Sequence, residues 1–259
     1  MNGLRHFLLA LQFFTRIPVT GRLAAWVGYS PAMLQASAAH FPAVGWLVGA
    51  VGAGVFAGGL ALWPAPVAGL LCIVATVLLT GAFHEDGLAD VADGLGGSLQ
   101  RARALEIMRD SRIGAFGAIA LVLALGLKLA LLAALAAQGV VTACVAVLGA
   151  HVLSRLAPLG LMRGLPYVGG EGGKAKPMAS AISGRALAVA LLWSLPAAAL
   201  LLMVHGVPHG LAALAAAALA SVWLAWRFRQ RLGGFTGDGL GATQQVAEIA
   251  IYLALAARL

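Results

Sequence analysis

Phe116–Ala136 reads FGAIALVLALGLKLALLAALA, twenty-one residues with one charge, Lys128. At 1.5 Å per residue such a run is long enough, as a helix, to cross the roughly 30 Å hydrocarbon layer of a bilayer. Runs of the same kind recur near 42–63, 65–83, 139–154, 186–204 and 209–226. A seventh, near 246–257, is short and begins just before Glu248. Composition agrees with this reading. Of 259 residues 61% are hydrophobic and only 10% charged, against about 25% charged in a water-soluble domain, and the mean hydropathy is +0.95. These values exclude a cytosolic globular enzyme, a disordered chain and a nucleic-acid module. The expected fold is an all-α polytopic membrane protein of six to seven transmembrane helices in one domain, 1–259. The first 15 residues, which carry Arg5 and His6, are expected to form an amphipathic helix at the interface. Glycines four apart, Gly45/Gly49 and Gly54/Gly58, are expected to let helices approach closely. Cys72 and Cys144 lie in separate apolar runs and suggest neither a disulfide nor a zinc site.

Counting spans sorts the charges. The N-terminal segment and the connections after the second, fourth and sixth spans must share one side. They carry fifteen of the 17 Lys and Arg residues. The opposite connections, near 63–66, 138–139 and 205–209, carry none. The positive-inside rule puts the loaded face in the cytoplasm. The formal charge of +8 therefore speaks for orientation in an inner membrane rather than for a nucleic-acid partner.

Eight of the nine acidic residues lie on that same face. Four of them, Glu85, Asp86, Asp90 and Asp93, crowd just behind the second span. In a helix, Asp86, Asp90 and Asp93 stand at i, i+4 and i+7 on one stripe, where their mutual repulsion would be relieved by a cation. Mg²⁺, held by a few carboxylates and completed by water and phosphate, suits such a stripe. Solvated loop charges are the plain alternative, about equally favoured by spacing alone. The scarcity of acids elsewhere and the glycines 87, 94, 96 and 97 tilt the balance toward metal or phosphate. Arg109 and Arg112, three apart beside Glu106 and Asp110, fit a pyrophosphate clamp, or equally a set of local ion pairs. Residues 233–241 hold five glycines around Thr236 and Asp238, a pattern that brings backbone N–H groups to phosphate. The chemistry-bearing loops are thus 84–115, 155–185 and 227–248. His84 reads as a hydrogen-bonded interfacial histidine more readily than as a ligand, Lys128 as structural, and Tyr167, Trp223 and Trp226 as an aromatic belt.

Together, Phe14-Thr15-Arg16-Ile17-Pro18, His84-Glu85-Asp86-Gly87-Leu88-Ala89-Asp90 with Asp93-Gly94, Met108-Arg109-Asp110-Ser111-Arg112-Ile113-Gly114, and Gly237-Asp238 with Gly241-Ala242 resemble the cobalamin synthase family, the adenosylcobinamide-GDP ribazoletransferases, in order and across essentially the whole chain. The resemblance implies a Mg²⁺-dependent membrane transferase. It would join adenosylcobinamide-GDP to α-ribazole or its 5′-phosphate and release GMP, a late step of cobalamin synthesis. Metal ligands would be Glu85, Asp86, Asp90 and Asp93, and catalytic residues Asp86, Asp90, Asp93 and Asp238. Arg109, Asp110, Arg112, Thr236 and Gly237 would contact substrate. Lys174 and Lys176 fall where the family pattern is not matched. A CDP-alcohol phosphatidyltransferase would want Asp-Gly-x-x-Ala-Arg, but Asp90-Val91 follows Ala89 here. An ion-coupled transporter would place acids at mid-membrane within repeated helices, and no repeat is evident. The sequence leaves open whether the chain is a homo-oligomer.

Overall fold

The computed structural model describes residues 2–170 and 182–258 and is all-helical apart from one isolated bridge. Lys174 and Lys176 lie outside the described residues, so the sequence reading of that loop stops at its edges. An N-terminal cap consists of α1 (Asn2–Phe14), α2 (Gly21–Val27) and α3 (Pro31–Ser37). The apolar face of α1 buries Leu9, Ala10, Leu11 and Phe14, while Gln12 is exposed and Arg5, half-buried, donates to the Trp26 carbonyl on α2 at 2.7 Å.

The bundle follows: α4 (Phe41–Leu62), α5 (Ala65–Thr80), α6 (Phe83–Gly97), α7 (Arg101–Ile107), α8 (Ala115–Ala136), α9 (Val140–Ser154), α10 (Ala157–Gly164), α11 (Gly184–His205), α12 (Val207–Leu232) and α13 (Gly237–Ala256). Five helical stretches, 31–62, 115–136, 140–164, 184–205 and 207–232, are long and apolar enough to cross a membrane. The expected span at 65–83 is shorter. It stops at Thr80, and the chain turns through 91° into α6, so that the two helices pass as a span only when taken together as a bent pair. The turn is made at Gly81 and Ala82, both with left-handed φ, and Ala82 is the one non-glycine residue with positive φ among those described. A Cβ in that region costs about 1–2 kcal/mol. The Arg16 backbone N–H donates to the Leu79 carbonyl at 2.7 Å, and its guanidinium packs on Gly81. The Phe14–Pro18 motif thus braces the bend.

The candidate seventh span, near 246–257, belongs to a longer helix. It is the second half of α13, which begins at Gly237 and is not among the stretches apolar enough to span alone. Its buried face carries Thr243, Gln244, Gln245 and Glu248, and it packs against α6, α8, α9, α10 and α12. Polar residues on such a helix lower its hydropathy without exposing it, because the surrounding bundle supplies their partners.

Glycine spacing is right in one place and wrong in another. A Cβ at Gly45 would stand 2.5 Å from the His151 carbonyl oxygen and one at Gly49 3.0 Å from Leu148 Cα, so this pair does let α4 close on α9. Gly54 and Gly58 face open space, and Gly52 and Gly59 make the contacts instead. The cysteines are free.

Candidate active site

The acid-rich α6 meets α13 through glycine. A Cβ at Gly87 would stand 2.8 Å from the Asp238 carbonyl oxygen, and one at Gly241 3.4 Å from the His84 Cα. This close crossing sets Asp238, in the first turn of α13, against the stripe on α6. Burial raises the Asp90 carboxyl to about 7, and the charges of Asp238, Asp86 and Asp93 add to the shift. Asp238 is raised to about 6 by burial and by Asp86, against opposing pulls from a Thr236 hydrogen bond and from Arg109. Asp86 itself is exposed and Asp90 half-buried. The charges of Asp86, Asp93 and Asp238 thus all act on Asp90, and those of Asp86 and Arg109 act on Asp238.

Asp93 is engaged differently. It is buried and accepts N–H donors from Gly114 at 2.7 Å and Gly117 at 2.8 Å. It serves the orphan donors of the α8 N-terminus, where a carboxylate also meets the positive end of the helix dipole. Glu85 turns inward: Gln245 Nε2 donates to one of its oxygens at 3.1 Å, and the other oxygen is buried without a partner. One residue before Asp86 on a helix is about 100° around the axis, which takes Glu85 off the acid face. As placed, neither side chain joins Asp86 and Asp90.

The expected arginine pair is also separated. α7 ends at Ile107, so Arg109 and Arg112 do not share a helical face. Arg112 is exposed and grips Asp110 with its Nε and guanidinium nitrogen, the latter at 2.6 Å, and this holds Asp110 at about 2. Arg109 instead donates to the Gly169 carbonyl at 3.2 Å, and its charge acts on Asp238. Thr236 caps α13, accepting from the Gly239 N–H at 3.0 Å, and Gly237 opens the helix.

Tyr167 was read as part of an aromatic belt; the structure puts it at the site. It bridges to Phe235 in parallel register, with Val168 N–H donating to the Phe235 carbonyl and Phe235 N–H to the Pro166 carbonyl, each at 2.9 Å. Burial and the charge of Asp238 raise its hydroxyl, while Arg109 opposes them. Only the tertiary pairing of two loops distant in sequence could show this. His84, also unlike its reading, is buried and stacks on Phe14 at 5.5 Å with an interplanar angle of 10°.

A membrane-face cluster of three carboxylates and one arginine, reached by two glycine-bearing loops, is suited to hold a phosphorylated substrate. The model of the cobalamin-5-phosphate synthase family matches residues 6–256. The chain belongs to this family. Proteins named adenosylcobinamide-GDP ribazoletransferase are similar over their full length. That of Polaromonas naphthalenivorans is 53% identical, with 100% of both chains covered. That of Albidiferax ferrireducens is 54% identical over 98% of each, and that of Vibrio cholerae 44% identical over 97% of this chain and 93% of its own. No solved structure matches. For a cobalamin-5-phosphate synthase family member the fit to a metal can be tested on the acids themselves. Among the described residues no three His, Cys, Asp or Glu side chains form a ready cage. Mg²⁺ needs none, since it keeps several waters and takes one or two carboxylates plus substrate phosphate. Asp86, exposed, and Asp90, half-buried one turn further along α6, offer such oxygens.

Proposed function

We propose that this chain is a single-unit adenosylcobinamide-GDP ribazoletransferase whose reaction takes place on Asp86, Asp90, Asp238 and Arg109 at the cytoplasmic face of the inner membrane. The acceptor is α-ribazole or its 5′-phosphate. Its ribose hydroxyl oxygen forms a bond to the phosphorus nearer cobinamide, the bond from that phosphorus to the GMP oxygen breaks, GMP leaves, and the hydroxyl proton passes to a carboxylate. The observation that carries this reading is the convergence of Asp238 on Asp86 and Asp90 across the Gly87 crossing, in a chain of this family. Asp86 and Asp90, with Asp238 beside them, would hold Mg²⁺, which would supply charge neutralisation for the diphosphate and its leaving half. Arg109 holds phosphate oxygens in line, because transfer of this kind depends mainly on positioning and charge. Asp238, across from α6, is placed to accept the hydroxyl proton. Asp93 acts one step back, fixing α8 against the stripe. Glu85 belongs to the interior and Asp110 with Arg112 to the rim, so a direct role in metal or substrate binding for these three is set aside. The lopsided distribution of Lys and Arg supports the orientation.

The test is nucleoside monophosphate release, GMP or CMP, by the purified chain in lipid nanodiscs given α-ribazole with adenosylcobinamide-GDP or a CDP-alcohol, each with Mg²⁺ or with chelator. Release only from the GDP donor and only with Mg²⁺ is expected. Turnover of the CDP-alcohol, or full turnover in chelator, would overturn the reading.

A further inference from the structure

A narrow slot runs beside the acid cluster, behind the N-termini of α6 and α13. Its walls are Phe13, Phe14, Phe41, Phe83, His84 and Arg155. Phe14 stacks flat on His84, and the Phe41, Phe83 and Phe13 rings stand edge-on to Phe14 at 4.5–5.5 Å. Arg155 is buried, 2% exposed. One terminal nitrogen is held by the His151 carbonyl at 2.8 Å, yet its Nε–H is buried with no partner. An unpaired buried donor of this kind costs about 1–3 kcal/mol, a cost that a ligand's acceptor would remove.

We propose that this slot seats the flat heteroaromatic base of the acceptor, a benzimidazole-type nucleoside, with Arg155 Nε–H donating to its one free ring nitrogen. The proposal rests on the transferase reading above. Two bases are present in that reaction, and the slot discriminates between them. Guanine would bury N–H donors that need acceptors. Besides Arg155 the polar walls are the His84 ring, which when neutral offers a single acceptor nitrogen, and Gln244, whose amide is committed: Nε2 donates to Ser154 and Glu248, and Oε1 accepts from Gln245. A benzimidazole carrying its ribose on one nitrogen has no N–H, offers one acceptor and is otherwise apolar, matching aromatic walls with one donor. A lipid chain would leave Arg155 unpaired.

At about 30 Å³ the slot holds a water or two. Phe13 is also a wall of the neighbouring groove of about 510 Å³ between α1, α2 and α3, so rotation of this half-buried ring would join the two spaces and admit a bicyclic base. The rim then points the ribose the right way: Gly237 and His84 line the slot, and Asp238 and Asp86 lie one and two residues beyond them.

The test is a split of Michaelis constants in Arg155→Lys and Phe83→Leu, by GMP release with each substrate varied in turn. A roughly tenfold rise in KM for α-ribazole, with KM for adenosylcobinamide-GDP unchanged, is expected from loss of one charged hydrogen bond or one stacking wall. A rise confined to the GDP donor would assign the slot to guanine, and no change in either would make it structural; both results overturn the proposal. Because Arg155→Lys risks misfolding, calorimetric titration of α-ribazole into wild type and Phe83→Leu in nanodiscs gives a second reading, with roughly tenfold weaker binding expected in the variant and equal Kd contradicting it. Absence of GMP release from wild type would overturn the transferase reading instead, while the titration would still report on the slot.

Discussion

Asp90 and Asp238, raised to about 7 and about 6, bind protons more tightly in the folded chain than in the unfolded one. Groups of this sign stabilise the fold fully at low pH, below about 4, and lose that contribution as pH rises through 6 and 7. Without divalent metal, the melting temperature is therefore expected to fall between pH 5 and pH 8. Mg²⁺ is expected to raise it at pH 8 and to do little at pH 5, where the ligands are protonated; thermal melts at both values with and without MgCl₂ check this. Equal stabilisation at the two values would separate the metal from these acids. The arginines give a second contrast at the same scale. Arg109→Ala is expected to cut turnover by roughly a hundredfold or more, as the loss of a group proposed to hold phosphate charge in the transition state would. Arg112→Ala, which frees only an exposed pair with Asp110, is expected to change it less than about threefold. The sequence showed the acids and the arginines but could not separate them. Spacing made Arg109 and Arg112 equivalent only if helical, and α7 stops before both. Asp93 shared the stripe with Asp86 and Asp90, yet the incoming α8 start claims it, a contact set 21 and 24 residues away in the chain.

At the level of elements, the site depends on how tightly α6 crosses α13. Gly87→Ala is expected to push α13 away, since its Cβ would meet the Asp238 backbone at 2.8 Å and backbone gives way less readily than a side chain. Turnover is expected to fall by roughly a hundredfold, as happens when a catalytic group is misplaced by an ångström, while circular dichroism stays helical. Unchanged turnover would show that the crossing does not set the site. The glycines in 84–97 and 233–241 were visible as a pattern suited to ligand approach, and part of that pattern serves helix contact instead. α13 itself was legible only in part: its polar face read as a weak span because the sequence does not show which neighbours will satisfy it.

Across the whole molecule, those polar residues form one buried network. Lys128 on α8 pairs with Glu248 on α13 at 2.8 Å and donates to Gln245 at 3.0 Å. Gln245 continues to Glu85 on α6, and Gln244 to Ser154 on α9. The network ties α6, α8, α9 and α13 together, with Lys128 held at both Glu248 and Gln245. Lys128→Met strands the Glu248 charge and is expected to cost about 3–5 kcal/mol, whereas adding Glu248→Gln restores much of it; detergent-resistance melts of the two variants measure the difference. The apolar runs made the spanning helices plain from sequence, because a bilayer imposes length and hydropathy on them. The right-angle bend at Gly81–Ala82 was not, since it depends on Arg16 arriving from the N-terminal segment.

The central claim is that Asp86, Asp90 and Asp238 act together through a divalent ion at the membrane face. The direct measurement is GMP release as a function of Mg²⁺ concentration for wild type, Asp86→Asn, Asp90→Asn and Asp238→Asn in nanodiscs. A loss of roughly a hundredfold or more in each variant, with the Mg²⁺ requirement of Asp86→Asn and Asp90→Asn moved to higher concentration, is the predicted result. Near-wild-type turnover in all three, at an unchanged Mg²⁺ requirement, would contradict it.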